Sequence, residues 1–132
     1  MSWELIIVND GSSDSTMAVI SAEHDLDPIH LIGIDQQPNR GKGRAVAAGV
    51  AVSRGDLVLI SDADFSTPIE EWVKLKAAVD EGSDVAIGSR AKRGSKVEVS
   101  QPAHRVLMGK IFNLIVQIVV LPGFWDTQCG FK

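Results

Sequence analysis

Four short aliphatic runs end abruptly in polar or acidic residues, and the segments between them have the length and composition of helices. The runs are Glu4 to Asn9 ("ELIIVN"), Ile29 to Ile34 ("IHLIGI"), Asp56 to Ser61 ("DLVLIS") and Asp84 to Ser89 ("DVAIGS"). Continuous aliphatics, rather than alternating ones, suit strands covered on both faces. Parallel neighbours need a crossover, usually a helix, to return the chain. One helix is expected after the turn cluster "DGSSDST", with Ser13, Asp14 and Ser15 as N-cap candidates, running to about His24. A second is expected over Arg44 to Ser53, and a third up to about Glu81, with Thr67 as N-cap, Pro68 at the first helical position and Glu70 completing a capping box. The expected fold class is α/β, a mostly parallel sheet flanked by helices.

In open parallel sheets, ligands bind outside the carboxyl ends of the strands. Asp10, Asp35, the pair Asp62 and Asp64, and Ser89 with Arg90 all fall just past a run's end. The chemistry is therefore expected at one edge of the sheet.

Composition narrows the function classes. A chain of 132 residues, 45% of them hydrophobic, is long enough to bury a core, and its net charge of -4 argues against a nucleic-acid partner. The segment from Arg90 to Lys110 differs, carrying Arg90, Lys92, Arg93, Lys96, Arg105 and Lys110 against Glu98 alone, a balance suited to an anion. The single cysteine, Cys129, makes an intramolecular disulfide impossible and a reducing compartment the default. The opening "MSWELIIVND" has neither the basic start nor the long apolar stretch of a signal peptide. Ile111 to Leu121 is about half a membrane span and contains Asn113 and Gln117, so no transmembrane helix is expected. The surrounding stretch, Gln101 to Val120, reads as one helix whose broad apolar surface includes Val106, Leu107, Ile111, Leu114, Ile115, Ile118 and Val119. Such a helix either packs on a core or lies in a membrane interface.

Asp62-Ala63-Asp64 carries the strongest chemical signal. Two carboxylates one residue apart beyond a strand end can share a hard divalent cation and leave room for phosphate oxygens. An isolated pair of this kind more often caps turns. Its position after "LVLIS", with no evident structural need for either acid, favours the functional reading. Asp10 followed by Gly11 can accept hydrogen bonds from a nucleobase or sugar, although Asp-Gly is also a common turn. "NRGKGRAVAAG" lacks the spacing of a nucleotide-triphosphate loop; Gly41 and Gly43 instead let a helix begin near the ligand edge, with Lys42 or Arg44 available to an anion. Arg90 and Arg105 have the planar donor fork suited to phosphate, and a solvated basic surface is the alternative. Cys129 belongs to no recognisable nucleophile set.

The segments "IIVNDGSSDST", "NRGKGRAVAAGV", "GDLVLISDADFSTP", "DVAIGSR", "HRVLMGKIFN" and "DTQCGFK" follow one another in an order that resembles the family 2 glycosyltransferases of GT-A fold, within them the polyprenyl-phosphate sugar transferases. The resemblance implies that Asp10 and Gly11, with Lys42, serve the nucleotide of a UDP-sugar donor. Asp62 and Asp64 would be the family's paired aspartates, holding Mg2+ or Mn2+ and the diphosphate. Arg90 and Arg105 would face the phosphate of a dolichyl or other polyprenyl-phosphate acceptor, and Asp126 would stand near that acceptor. An anionic acceptor needs positioning by arginine more than it needs a general base, and the arginine pair agrees with that. The implied enzyme is an inverting, metal-dependent hexosyltransferase, glucose being the expected sugar, working at the cytosolic face of a membrane in peripheral contact with it. The family's first strand is not seen ahead of Trp3, nor its C-terminal part after "DTQCGFK", and Ser66 stands where some relatives carry a metal-contacting Gln. The expectation is one catalytic domain over 1–132, truncated at both ends.

Three alternatives remain at this point. They are a glycosyltransferase acting on a glycan hydroxyl, a non-catalytic nucleotide-binding module, and a haloacid-dehalogenase-type phosphatase. The last expects its aspartate pair at the first strand.

Overall fold

A computed structural model of the chain describes residues 2–89, 103–119 and 129–132; within the last helix, the side chains at 103–107, 110, 117 and 119 fall outside that description. The chain forms two compact units, Met1–Val58 and Leu59–Lys132.

The first unit is a strand-helix-strand-helix arrangement: β1 Leu5–Asn9, α1 Thr16–Leu26, β2 Leu31–Asp35 and α2 Lys42–Val52. β1 and β2 pair in parallel, from Leu5 opposite Leu31 to Asn9 opposite Asp35. α1 opens after its N-cap Ser15 with no side-chain cap contact, and just ahead of it Asp14 Oδ1 accepts both the backbone N–H (3.0 Å) and the hydroxyl (2.5 Å) of Thr16, a local turn contact rather than a cap. It ends at Leu26, because the following Asp27 precedes Pro28, whose ring disfavours helical backbone before it.

Alternation along the strands sends Gly33 and its register partner Ile7 to one face, Ile6 and Val8 to the other. A Cβ on Gly33 would lie 2.6 Å from Ile20 Cγ2 of α1, and one on Gly49 of α2 would lie 3.3 Å from Val8 Cγ2. The two helices therefore cover opposite faces, the layering of a doubly wound α/β fold. Ile20 is 5% exposed. Glu4, just before β1, ties the end of α2 with carboxylate contacts to the Arg54 backbone N–H (2.6 Å) and Nε (3.0 Å).

The second unit contains a 3-10 turn Ile69–Glu71, α3 Trp72–Asp80 and α4 Ala103–Val119. Two expected strands are corrected here. Among the described residues neither Asp56 to Ser61 nor Asp84 to Ser89 joins a ladder, and the sheet has two strands. Leu57, Val58 and Leu59 stay exposed: no neighbouring strand among the described residues supplies the backbone partners an aliphatic run needs to enter a ladder. Short pairings replace the ladder. Ile60 and Lys132 exchange two backbone hydrogen bonds (2.8 and 3.1 Å), and the Gly88 N–H donates to the Phe131 carbonyl (2.9 Å). Cys129 and Phe131 are buried in this unit.

The expected capping box at Thr67 does not form. Pro68 is extended (ψ 140), the helical turn opens after it, and no side chain caps it. A proline at the boundary fixes its own φ and starts the turn without Thr67.

Candidate functional site

The loop after β1 and the loop after β2 interlock. Asn9, at the end of β1 and 3% exposed, donates its amide to Asp35 Oδ1 (2.7 Å) and accepts the Ser12 N–H on its own Oδ1 (3.2 Å). Asp10 Oδ1 accepts the Arg40 backbone N–H (2.8 Å) and the Gln36 side-chain amide (2.6 Å), while the Asn39 amide reaches the Asp10 carbonyl (2.6 Å). The Arg40 N–H, joined by the Gln36 amide and outweighing partial burial, holds the Asp10 carboxyl below the usual aspartate range. A carboxylate has about four acceptor positions, so these bonds leave Asp10 able to take a hydroxyl or N–H from a ligand. Gly11 fits as expected: its φ is +76, and a Cβ there would stand 2.5 Å from the Asn39 backbone nitrogen. The second loop thus packs directly on the first.

Lys42 is exposed at the first position of α2. Arg44 and Arg40, with Gln36, Ala47 and Ala48, line a groove of about 240 Å3 on the same unit. Two guanidiniums beside small side chains suit an anion.

In the second unit Asp62 to Phe65 forms a tight turn, the Asp62 carbonyl accepting the Phe65 N–H (3.2 Å), with Phe65 at φ 47 and largely exposed. A bulky side chain at positive φ is rare and strained, a condition common at ligand-binding loops. Asp64 is exposed and Asp62 half-buried. Asp64 Oδ1 accepts the Ser66 N–H (2.9 Å), which corrects the expectation that neither acid serves the local backbone. Asp62 faces Gly130, whose Cα leaves space for its carboxylate.

Among the described residues no three or more His, Cys, Asp and Glu side chains cluster as a metal cage. The Asp62 and Asp64 pair would offer hard oxygen donors to a divalent cation, the kind of ligand such ions take.

Asp10, Gly11 and Lys42 belong to the first unit, Asp62 and Asp64 to the second. Arg90 and Asp126 lie outside the described residues; Arg105 lies on α4, with its side chain outside them. Asn9, Gln36, Asn39, Arg40 and Gly130 were not anticipated. A polar Asn closing an aliphatic strand, and the density of amides in "DQQPNR", are the signals that point to the first four.

The whole chain, residues 1–132, matches the family model for glycosyl transferase family 2. A dolichyl-phosphate beta-glucosyltransferase of Trichomonas vaginalis is 37% identical over 136 residues, covering 98% of this chain and 40% of the relative. The Drosophila melanogaster protein of the same name is 33% identical, with 98% and 42% covered. An undecaprenyl-phosphate 4-deoxy-4-formamido-L-arabinose transferase of Salmonella paratyphi B is 34% identical, with 98% and 38% covered. The chain spans about two fifths of the length of these curated relatives. With the full-length family match and an α/β unit carrying an acid at its first strand end, the chain belongs to glycosyltransferase family 2.

Proposed function

We propose that the chain is the donor-binding part of an inverting glycosyltransferase that moves a hexose, glucose foremost, from a UDP-sugar to a dolichyl or other polyprenyl phosphate. The turn that brings the half-buried Asp62 and the exposed Asp64 together one residue apart carries the reading. The names of the relatives support the acceptor class, since they differ in sugar but have a polyprenyl phosphate in common.

In this reading Asp10, with the Gly11 turn, accepts hydrogen bonds from the nucleoside, and Lys42 offers charge to its phosphates. Asp62 and Asp64 hold the cation. A bound Mg2+ or Mn2+ would neutralise charge on the departing diphosphate. Arg90 and Arg105 orient the acceptor phosphate, with Asp126 beside it. An acceptor oxygen attacks the anomeric carbon opposite the leaving group, and the bond to UDP breaks with its electron pair leaving on the diphosphate. Because the phosphate is already anionic, no side chain has to remove a proton from it.

α4 exposes Met108, Ile111, Phe112, Leu114, Ile115 and Ile118. No helix among the described residues is long and apolar enough to cross a membrane. A helix of this kind can lie in the interface, and we assign it the peripheral contact, at the cytosolic face, that brings a lipid acceptor within reach.

Calorimetric titration of UDP-glucose with Mn2+ tests the donor site. Metal-dependent binding that Asp64→Asn abolishes is expected; absence of binding, or binding indifferent to Asp64→Asn, refutes it. Binding without transfer to dolichyl phosphate identifies the chain as a nucleotide-binding module, a reading consistent with its span of the relatives.

A further inference from the structure

The segment from Cys129 to Lys132 is held by backbone hydrogen bonds after Gly130 and by the burial of Cys129 before it. Lys132 exchanges two backbone hydrogen bonds with Ile60 (2.8 and 3.1 Å), and the Phe131 carbonyl accepts the Gly88 N–H (2.9 Å). Phe131 is 2% exposed and Cys129 5%. A reciprocal pair of bonds defines an antiparallel register, which carries Asp62 opposite Gly130. Directly opposed residues on such a pair place their Cβ atoms about 5 Å apart, so a side chain at one position ordinarily shapes the other.

Here the interaction is closer than usual. A Cβ built on Gly130 would stand 2.6 Å from Asp62 Oδ1, and nearer still to its Cγ and Oδ2. The carboxylate lies where a side chain at 130 would be. Gly130 is not in the left-handed region, so its φ does not itself call for glycine. Space, and not conformation, requires glycine.

We propose that Gly130 is a positioning residue for Asp62: its missing side chain lets the Cys129 to Lys132 segment close on the Asp62 carboxylate and fix the direction in which it is presented. This role rests on the donor-site reading above, in which Asp62 helps to hold a divalent cation and a diphosphate. A methyl at position 130 forces the carboxylate to turn away while the turn backbone, pinned through Ile60, stays in place.

The test is a double-mutant cycle of Gly130→Ala and Asp62→Ala, read without metal by thermal midpoint and with UDP by Mn2+ electron paramagnetic resonance. Gly130→Ala should lower the midpoint and weaken Mn2+ binding by roughly tenfold or more, the scale seen when groups orienting a metal ligand are lost. In the Asp62→Ala background, adding Gly130→Ala should leave the midpoint unchanged, because the atoms it collides with are gone. An equal midpoint cost in both backgrounds overturns the contact, and unaltered Mn2+ affinity in Gly130→Ala overturns the positioning role. If the unmutated protein binds no Mn2+ with UDP, the donor-site reading and the positioning role fail together, and the midpoint cycle still reports whether Gly130 and Asp62 touch.

Discussion

Asp10 shows how a residue acquires a function its local sequence only hints at. Its carboxylate is held anionic chiefly by a backbone N–H thirty positions away, that of Arg40. A depressed pKa means that the stabilisation is present above the unfolded value, about 3.9, and is lost as pH falls through the lower folded value. Thermal melts below about pH 4 should therefore decline less steeply in Asp10→Asn than in the unmutated protein. Glu4, held down first by the Arg54 N–H, and Asp14, held down first by the Thr16 hydroxyl, share the direction, so some acid sensitivity should persist in the variant. The Asp-Gly pair was legible as a turn. Its amide partners were not, because Gln36 and Asn39 reach it only once β1 and β2 lie side by side.

Among the elements, strands and helices of the first unit follow the sequence pattern to within a residue or two, whereas α3 begins differently. A Thr-Pro-x-Glu pattern reads as a capping box, yet Pro68 is extended and the helical turn opens without a side-chain cap. Thr67→Ala should accordingly change stability by less than about 0.5 kcal/mol in urea denaturation, where a functioning cap would cost about 1 kcal/mol. α4 offers the opposite case, an apolar surface legible in the sequence whose placement the sequence left open. Ile115 and Ile118 are more than half exposed. Sedimentation with anionic phospholipid vesicles should carry the protein down, and Ile115→Asp with Ile118→Asp should leave it in the supernatant; equal partitioning of both would remove α4 from the membrane contact.

At the scale of the whole molecule, burial among the described residues is thin. Among the described residues the buried apolar side chains are Ile20, Cys129 and Phe131, while Leu57, Val58, Leu59 and Val85 remain accessible. Denaturant slopes scale with the surface exposed on unfolding. The urea m-value should therefore fall below that of well-packed chains of similar length, and a hydrophobic dye should bind at neutral pH without denaturant. An m-value typical of that length with no dye binding would contradict this burial pattern. The sequence by itself determined the α/β class, the β1 and β2 strands with their intervening helix, and the acids at the run ends. Those features depend on side-chain periodicity and local turn chemistry, which neighbouring residues specify. Only the tertiary structure decided which aliphatic runs enter a ladder, that Asp64 also caps its own turn, and that Asp62 lies against Gly130. Strand pairing and close approach bring together residues far apart in the chain, and no local pattern encodes the space between them.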